Sequence, residues 1–500
     1  MSNHRHANRF SCPVSRALAL VLVLFCSCLA AQSSRVPLPD MGNSASTILS
    51  DREEEEYAKG LIRQLHAYEL LVDDPLVTAY FDDMGFRLVS HSDRPDKLFT
   101  FVVMDEPNVN AFAAPGGVVA LHSGLILAAE SESEVAGVVS HEIAHVTQLH
   151  LYRAFEKARS MTIPIALAML GMILAAGGDG EAISGALMSG QAMSAQMQIN
   201  FTRHNEIEAD RIGIRTLSEA GYDPEGMASF FSKLNRLTRL NGEGPPEFLR
   251  THPVTVNRVA EARDRANNLP AADIGDGLNF YLAQARLRAL IADDPGEAVQ
   301  WFRNELEEDH DQARSDGLNY GLAIALQRDL EYAEAETLLE QLIESNAGHL
   351  AYQLQMANLD TESGQSESAI ERMKGLYEDF PGNHAITMQY ASSLLHEEVP
   401  ERAQLASDIL RSQTLRRQED PSLFELYARA ANVAGDEVRS TEAIAESYFL
   451  RGGISEAIEQ LERLTKDSTL DYYERSRIEA RLTEMRREAG EELDREKENT

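Results

Sequence analysis

The stretch that decides the fold is residues 138–150, VVSHEIAHVTQLH. It places His141, Glu142 and His145 in an apolar segment that predicts a helix beginning near Ser131. At 3.6 residues per turn, the two histidines lie one turn apart on the same face of that helix. Two imidazoles so placed can hold one zinc ion, and Glu142 beside them can accept a proton from water. The alternative is a half-buried helix whose histidines only make hydrogen bonds.

A second motif, NEIEAD at residues 205–210, offers the remaining ligand. A zinc ion held by two histidines needs a third protein ligand and leaves one position for water. Glu206 and Asp210 share one face of a helix predicted near 203–220, whereas Glu208 points elsewhere. We therefore assign Glu206 to the metal and Asp210 to a hydrogen bond with a ligating imidazole. The alternative is a helix N-terminus that is rich in acids because of its dipole.

Length and charge limit the class of protein. The chain has 500 residues, 43% of them hydrophobic, which predicts two or three globular domains. Its formal net charge of −34 argues against nucleic acid as a partner and against binding anionic lipid by bulk electrostatics.

Residues 1–31 are typical of an export signal. Three arginines precede the apolar run ALALVLVLFCSCLA at 17–30, which is short for a membrane span. A retained anchor and a lipoprotein cut before Cys28 are the alternatives. All three cysteines lie in this leader, so zinc ligands in the remainder must be His, Asp or Glu. We expect an exported protein, most simply periplasmic.

Short strands and helices surround the HEIAH helix. LFTFVVM at 98–104 is rich in β-branched and aromatic residues and predicts a strand, and NAFAAPGGVVALHSG at 110–124 predicts two more around a Pro-Gly-Gly turn. The Gly- and Pro-rich segment 241–253 predicts a loop. Residues 161–199 are rich in Met, Ala and Gly and almost uncharged. We expect them to form an apolar lid or helices on a membrane surface, with a true membrane span as the alternative.

Beyond about Leu278 the sequence becomes a series of amphipathic helices with an internal repeat. Two sets of alanines recur every 34 residues, and each member of the first lies 12 residues before a member of the second: Ala323, Ala357 and Ala391, and Ala335, Ala369 and Ala403. Ala445 and Ala457 form a fourth such pair. A 34-residue period with small residues at helix crossings predicts a tetratricopeptide array over 278–490.

The two metal motifs together resemble the gluzincin metallopeptidases of the HtpX and CAAX-prenyl-protease type. The similarity covers roughly residues 45–270 and includes the strand NAFAAPGG, the spacing of about sixty residues between motifs, and Thr251-His252-Pro253. It implies one zinc ion, with the ligands His141, His145 and Glu206, the base Glu142 and the supporting residue Asp210. It also implies that His252 can occupy the fourth zinc position and keep the enzyme latent. By sequence alone, His252 is merely a loop histidine.

The expected fold class is therefore α+β, mainly α. A helical zincin-type metallopeptidase domain with a small β-sheet, at 44–265, is followed by an α-solenoid of tetratricopeptide repeats. Extended substrate is expected to pair with an edge strand at residues 110–113, which are Asn110, Ala111, Phe112 and Ala113. Arg258 is a candidate oxyanion partner, with an ordinary surface arginine as the alternative.

The leader and the array are similar to those of periplasmic members of this family. The resemblance implies a zinc metalloendopeptidase with a chaperone-like role in outer-membrane protein assembly and quality control. Its substrates would be unfolded or misassembled outer-membrane proteins, and its array would bind the β-barrel assembly machinery. Residues 161–199 would add membrane-surface contact. The alternative is a periplasmic scaffold or chaperone that acts through the array, with proteolysis secondary.

Overall fold

The structure is a computed structural model that describes residues 49–157, 203–240, 246–270 and 277–498. The leader at 1–31, the apolar segment 161–199 and residues 241–245 of the expected loop lie outside the described residues. The helices of the first region are α1 Asp51–Ala67, α2 Pro75–Ser90, α3 Ser123–Ala128, α4 Glu132–Thr147, α5 His150–Lys157, α6 Arg203–Glu219, α7 Glu225–Leu240, α8 Glu247–Thr251 and α9 Val256–Asn267.

Three short strands form one sheet, as the sequence predicts. They are β1 Thr100–Met104, β2 Ala111–Ala114 and β3 Val118–His122, in the order β1-β3-β2. The central strand β3 is buried throughout, runs parallel to β1 and antiparallel to β2, and leaves β2 at an edge of the sheet. A Pro-Gly-Gly turn joins β2 to β3, and Gly116 has φ +77° there. A Cβ on Gly116 would lie 2.4 Å from the carbonyl oxygen of Glu54, so α1 packs directly on this turn.

The core of the first region surrounds α4, whose apolar residues pack against α2, α6 and α7. Ser131 caps α4 by accepting a hydrogen bond from the Glu134 amide. Glu132 and Glu134 lie in the first turn of α4, where their negative charges interact favourably with the helix dipole. Gly137 faces α7 so closely that a Cβ would lie 2.9 Å from the Met227 backbone. The HEIAH motif therefore lies on a buried helix that neighbouring elements hold in place.

The second region consists of helices alone. They are α10 Leu278–Ile291, α11 Pro295–Glu305, α12 Gln312–Arg328, α13 Tyr332–Ser345, α14 Leu350–Glu362, α15 Ser366–Asp379, α16 His384–Leu395, α17 Pro400–Thr414, α18 Pro421–Val433, α19 Glu437–Leu450, α20 Ile454–Leu464 and α21 Tyr472–Glu498. The eight alanines of the predicted repeat are all fully buried where successive helices pack. The mainly helical class, with a solenoid after a small-sheet domain, is confirmed.

The first helix of the array is joined to the peptidase region. Phe280 and Leu287 of α10 belong to the same apolar core as α4. Arg286 binds Asp74, the N-cap of α2, through two hydrogen bonds of 2.8 and 2.7 Å. The side-chain amide of Gln284 donates to carbonyl oxygens next to α3. The two predicted domains, 44–265 and 278–490, therefore meet at a packed interface. The division of the chain into these two domains stays a prediction.

The far end of the array meets α1. Arg63 lies 3.0 Å from Glu488, and its guanidinium lies 4.6 Å from the centre of the Phe449 ring. A groove of about 910 Å³ lies between α1 and helices α17, α18, α19 and α21. Helix α1 thus connects the end of the array to the Pro-Gly-Gly turn beside β2.

None of the described helices combines the length and the low polarity that crossing a membrane requires.

Candidate metal centre

Helix α4 places the two predicted histidine ligands side by side. Nε2 of His141 lies 3.0 Å from Nε2 of His145, and both rings are almost wholly buried. Glu142, between them in sequence, is also buried and faces the same site. The one-turn spacing of the motif therefore produces the convergence that the sequence predicts.

Glu206 reaches this pair from α6. One of its carboxylate oxygens lies 3.5 Å from Nε2 of His145, and the other lies 3.6 Å from Nε2 of His141. The close approach of α6 to α4 depends on Gly213, since a Cβ there would lie 3.1 Å from the His141 amide nitrogen. A larger residue at 213 would push Glu206 away from the histidines.

His252, at the C-terminal end of α8, completes the group. Its Nδ1 lies 3.2 Å from Oε1 of Glu206 and 3.4 Å from Nε2 of His141. The donor atoms of His141, His145, Glu206 and His252 all lie within 4.8 Å of one another. Phe248 of α8 is fully buried and stacks on the His252 ring at 4.9 Å. The five-residue helix α8 therefore holds His252 in the site, where the sequence predicts only a loop.

Asp210 and Arg258 lie directly behind the ligands. Oδ1 of Asp210 is 3.0 Å from Nδ1 of His141, the ring nitrogen that faces away from the cluster. Arg258 donates two hydrogen bonds of 2.7 Å to Asp210, and its third nitrogen lies 2.8 Å from Glu206 and 2.9 Å from the Pro253 carbonyl oxygen. All three guanidinium nitrogens are thus engaged by the protein, and Arg258 is buried rather than an ordinary surface arginine.

A second supporting pair, His150 and Glu208, was not identified from the sequence. Nδ1 of His150 lies 3.0 Å from Nδ1 of His145, and its Nε2 lies 3.2 Å from Oε2 of Glu208. Arg153 lies 3.4 Å from the same carboxylate oxygen. His150 ends the stretch 138–150, so the sequence does contain a third histidine near the motif. Helical spacing shows only that Glu208 faces away from Glu206 and Asp210, and it does not indicate a contact with His150. Helix α5 turns back and brings His150 to Glu208.

Burial and neighbouring charges shift the pKa values of the two glutamates of the site, Glu142 and Glu206, in opposite directions. Burial raises the pKa of Glu142, against the opposing effect of His252 and His141. Burial also acts to raise the pKa of Glu206, but His252 and His141 outweigh it and hold this pKa well below its usual range. A carboxyl with a raised pKa suits proton transfer, and one that stays charged suits binding a cation.

The pKa values of the two motif histidines, His141 and His145, are also shifted in opposite directions. Burial acts to lower the pKa of His141, but the nearby carboxylates of Asp210 and Glu206 outweigh it and raise this pKa to about 9. Burial and the proximity of His141 lower the pKa of His145 well below its ordinary value. The carboxyl of Asp210 is buried as well, yet Arg258 and His141 keep its pKa low. The carboxylates of Asp210 and Glu206 therefore stabilise positive charge at the cluster.

The predicted substrate strand borders this site. The Asn110 carbonyl oxygen accepts a hydrogen bond from the His122 amide, so Asn110 and Phe112 direct their backbone groups toward β3. The backbone groups of Ala111 and Ala113 therefore point to the free edge of β2. A hydrogen bond from the Ala113 amide acts to lower the pKa of Glu142, which places this edge beside the predicted base.

Comparison with known proteins agrees with this geometry. Residues 75–266 match peptidase family M48. The β-barrel assembly-enhancing protease of Escherichia coli is 33% identical over 454 residues, which cover 90% of this chain and 91% of the relative. The chain belongs to the M48 peptidase family. With its buried His/Glu cluster, it is a metallopeptidase of the β-barrel assembly-enhancing type.

Other relatives match different lengths of the chain. The putative β-barrel assembly-enhancing protease of Vibrio cholerae is 33% identical over 474 residues, covering 95% of this chain and 97% of the relative. The mitochondrial metalloendopeptidase OMA1 of Arabidopsis thaliana is 34% identical over 153 residues, covering 30% of this chain and 28% of the relative. Similarity to the β-barrel assembly-enhancing proteases therefore extends through the helical array, whereas similarity to OMA1 does not.

Proposed function

We propose that this M48 member is an exported zinc metalloendopeptidase with a chaperone-like role in outer-membrane protein assembly. In this proposal it works in the periplasm and degrades misfolded or stalled β-barrel proteins. The observation that carries the proposal is the convergence of His141, His145, Glu206 and His252 within 4.8 Å.

The donor atoms suit a zinc ion. Zinc bonds of about 2.0–2.1 Å in a tetrahedron require donor atoms about 3.3 Å apart. The distances from His141 Nε2 are 3.0 Å to His145 and 3.4 Å to His252, and His252 lies 3.2 Å from Glu206. Three imidazoles and one carboxylate are also donors that zinc prefers. Zinc bound there would supply Lewis-acid chemistry, making water more acidic and stabilising charge on a carbonyl oxygen.

Glu142 is the proposed general base. It is buried, it lies at the cluster without belonging to the ligand set, and burial raises its pKa toward the range useful for proton transfer. It would accept a proton from the attacking water and pass it to the amine that leaves. The free edge of β2 beside it offers the outward carbonyl oxygens of Ala111 and Ala113 to an extended substrate. The amide of Ala111 already donates to the Asn110 side chain, and that of Ala113 donates to Glu142. Pairing through the main chain demands little of the substrate side chains, which suits unfolded proteins.

Asp210 and Arg258 are proposed to position ligands rather than to touch substrate. Asp210 orients His141 through Nδ1, and Arg258 holds both Asp210 and Glu206. An oxyanion partner needs a donor that is free to face the scissile carbonyl. Because the guanidinium nitrogens are engaged by carboxylates and a backbone carbonyl, the contacts favour the positioning role for Arg258.

His252 is proposed to hold the enzyme latent. Its Nδ1 lies among the ligand atoms, and its Nε2 lies 3.7 Å from Oε1 of Glu142, so the ring occupies the space next to the base. Substrate and water would need this space. Helix α8 would therefore have to move before a peptide is cut.

Three features support the proposed biological setting: the function for which the relatives are named, the leader and the array. The relatives with 33% identity are named for enhancing β-barrel assembly. Arrays of this kind present extended surfaces to protein partners, and the groove that α1 forms with α17, α18, α19 and α21 is one such surface. We propose that the array binds the outer-membrane β-barrel assembly machinery. The same groove supports the alternative of a scaffold or chaperone in which proteolysis is secondary.

One experiment tests the enzymatic proposal. The purified chain is expected to contain one zinc ion per molecule by elemental analysis and to cleave casein. Chelation should abolish cleavage, and added zinc should restore it. Cleavage that continues after the metal has been removed would contradict the proposal.

A further inference from the structure

His150 is a buried histidine that the reaction described above does not use. Its ring is 0% exposed and lies between a metal-site histidine and a carboxylate. Nδ1 faces Nδ1 of His145 at 3.0 Å, and Nε2 faces Glu208 at 3.2 Å. The order of contacts is therefore His145, His150, Glu208, from the cluster outward.

The direction of these hydrogen bonds follows from the end of the series. A carboxylate only accepts, so Nε2 of His150 carries the hydrogen and donates to Glu208. Nδ1 of the neutral His150 ring is then the acceptor, and Nδ1 of His145 must donate to it. In this tautomer, His145 directs the lone pair of Nε2 at His141 and Glu206, where the ligand atoms meet.

We propose that His150 and Glu208 are a positioning pair that fixes the tautomer and ring orientation of His145 for metal binding. They do for His145 what Asp210 is proposed to do for His141. A ligating imidazole generally gives its second N–H to a carboxylate, carbonyl or water, and here a second imidazole relays that contact to a carboxylate. This inference rests on the proposed metal site and names two residues that strengthen it.

The backbone turn between α4 and α5 brings His150 to this position. Leu149 has φ +55°, in the left-handed region that favours glycine, and its amide donates to the Val146 carbonyl. Helix α5 begins at the next residue, so His150 turns back onto the last turn of α4. The contact between His145 and His150 is thus built by a local turn that uses an unfavourable backbone conformation.

Two substitutions at His150 separate positioning from simple packing. His150→Asn keeps an acceptor close to the position of Nδ1, facing His145, and loses the contact with Glu208. His150→Gln places its amide near the position of Nε2 and loses the acceptor that faces His145. Zinc affinity, measured by competition with a chromogenic chelator, should fall on the order of 10–100-fold in His150→Gln. It should fall less in His150→Asn, although asparagine fills the space less well.

Glu208 provides a second pair of variants, because its side chain is partly exposed and its replacement perturbs the core little. Glu208→Gln keeps an oxygen that accepts from His150, whereas Glu208→Ala removes it. We expect zinc affinity close to wild type in the first and weaker in the second. Arg153→Ala is the matched control, since it removes a neighbour of Glu208 and leaves both His150 and the Glu208 carboxylate in place.

All variants are full-length chains, and the thermal unfolding of their zinc-free forms is compared to exclude a general loss of stability. Equal zinc affinity in His150→Gln, Glu208→Ala and wild type would overturn the positioning role. So would a greater loss in His150→Asn than in His150→Gln, because that order follows side-chain volume. A failure of the metal site itself would look different: His145→Ala would then bind zinc as tightly as wild type.

Discussion

The two ring nitrogens of His141 have separate partners, and this division explains why the site needs more residues than its ligands. Nε2 faces the cluster, whereas Nδ1 lies 3.0 Å from Asp210. Asp210 in turn is held by two hydrogen bonds from Arg258. The orientation of one ligand therefore depends on a buried ion pair two contacts away from the metal position.

Asp210→Asn should weaken zinc binding or activity on the order of 10–100-fold, because the amide keeps the size of the side chain but removes its charge. Chelator competition with full-length protein measures the effect on zinc affinity. Asp264→Asn, on the exposed surface of α9, is the matched control and should be silent. Unchanged affinity and activity in Asp210→Asn would show that His141 needs no such support.

Among individual residues, the sequence predicts which candidate ligands converge better than it predicts which residues surround them. His141, Glu142 and His145 converge because helical spacing is local, and Glu206 and Asp210 share a face for the same reason. The contacts of Arg258 and His150 could not be read in this way. Arg258 lies 48 positions from its partner Asp210, and His150 lies 58 positions from its partner Glu208. Contacts over such distances in sequence depend on how the helices pack.

At the scale of elements, α8 shows where pattern reading stops. The sequence predicts a loop across 241–253, yet Glu247–Thr251 forms a helix whose Phe248 is wholly buried. A five-residue helix is too short to show apolar periodicity, so only packing against the core reveals it. Helix α4 is much longer, and the strands β1, β2 and β3 are rich in β-branched and apolar residues. Their predicted positions are confirmed.

His252→Ala should open the metal site and raise basal proteolysis, including self-cleavage, while the other three ligands retain zinc. The reason is that the imidazole and the α8 segment occupy space that substrate requires. Casein turnover and autolysis are compared with wild type and with His396→Ala, an exposed histidine on the array. A lower kcat without self-digestion would reject the latch and assign His252 to transition-state binding.

At the scale of the whole molecule, the array is fastened at both ends. Its first helix shares the peptidase core through Phe280 and Leu287, and Glu488 near its end binds Arg63 of α1. The 34-residue period predicts the helix pairs because each repeat contacts its neighbours alone. These end contacts have no period, and the sequence therefore did not predict them.

Asp74→Asn should lower the free energy of unfolding by about 3 kcal/mol, because it leaves the buried Arg286 without its charge partner. Asparagine caps a helix about as well as aspartate, so the cap of α2 is retained. Chemical denaturation measures the change, and Asp436→Asn, a more exposed cap paired with Arg439, is the matched control. Equal losses of unfolding free energy at Asp74 and Asp436 would show that the Asp74–Arg286 pair stabilises the protein no more than an exposed pair does.

The same pair makes a pH-dependent contribution. Burial acts to raise the pKa of Asp74, but Arg286 and the capping hydrogen bonds hold it below its ordinary value. A lowered folded-state pKa stabilises the protein above the ordinary value of about 3.9 and loses this effect as pH falls through the folded value. The stability difference between wild type and Asp74→Asn should therefore shrink at acidic pH. A difference that grows with acidification would contradict this sign.

The fragment 278–490 should fold as helices when it is produced alone, because the repeats stack on one another. Its melting temperature should fall below that of the array in the whole chain, since Phe280 and Leu287 lose the core they pack against. Circular dichroism measures both properties. A fragment that is mainly strand or unfolded would contradict the proposed domain boundary.

The HEIAH residues are proposed to form a metal-dependent peptidase site in which Glu142 is the general base. Glu142→Gln should bind zinc as wild type does, because this residue is not among the ligands, and should cleave no casein, because the amide cannot accept the proton. The direct measurement is casein cleavage by the zinc-loaded variant beside zinc-loaded wild type. We expect cleavage to disappear at unchanged zinc content, and retained cleavage by the metal-loaded variant would show that Glu142 is not the base.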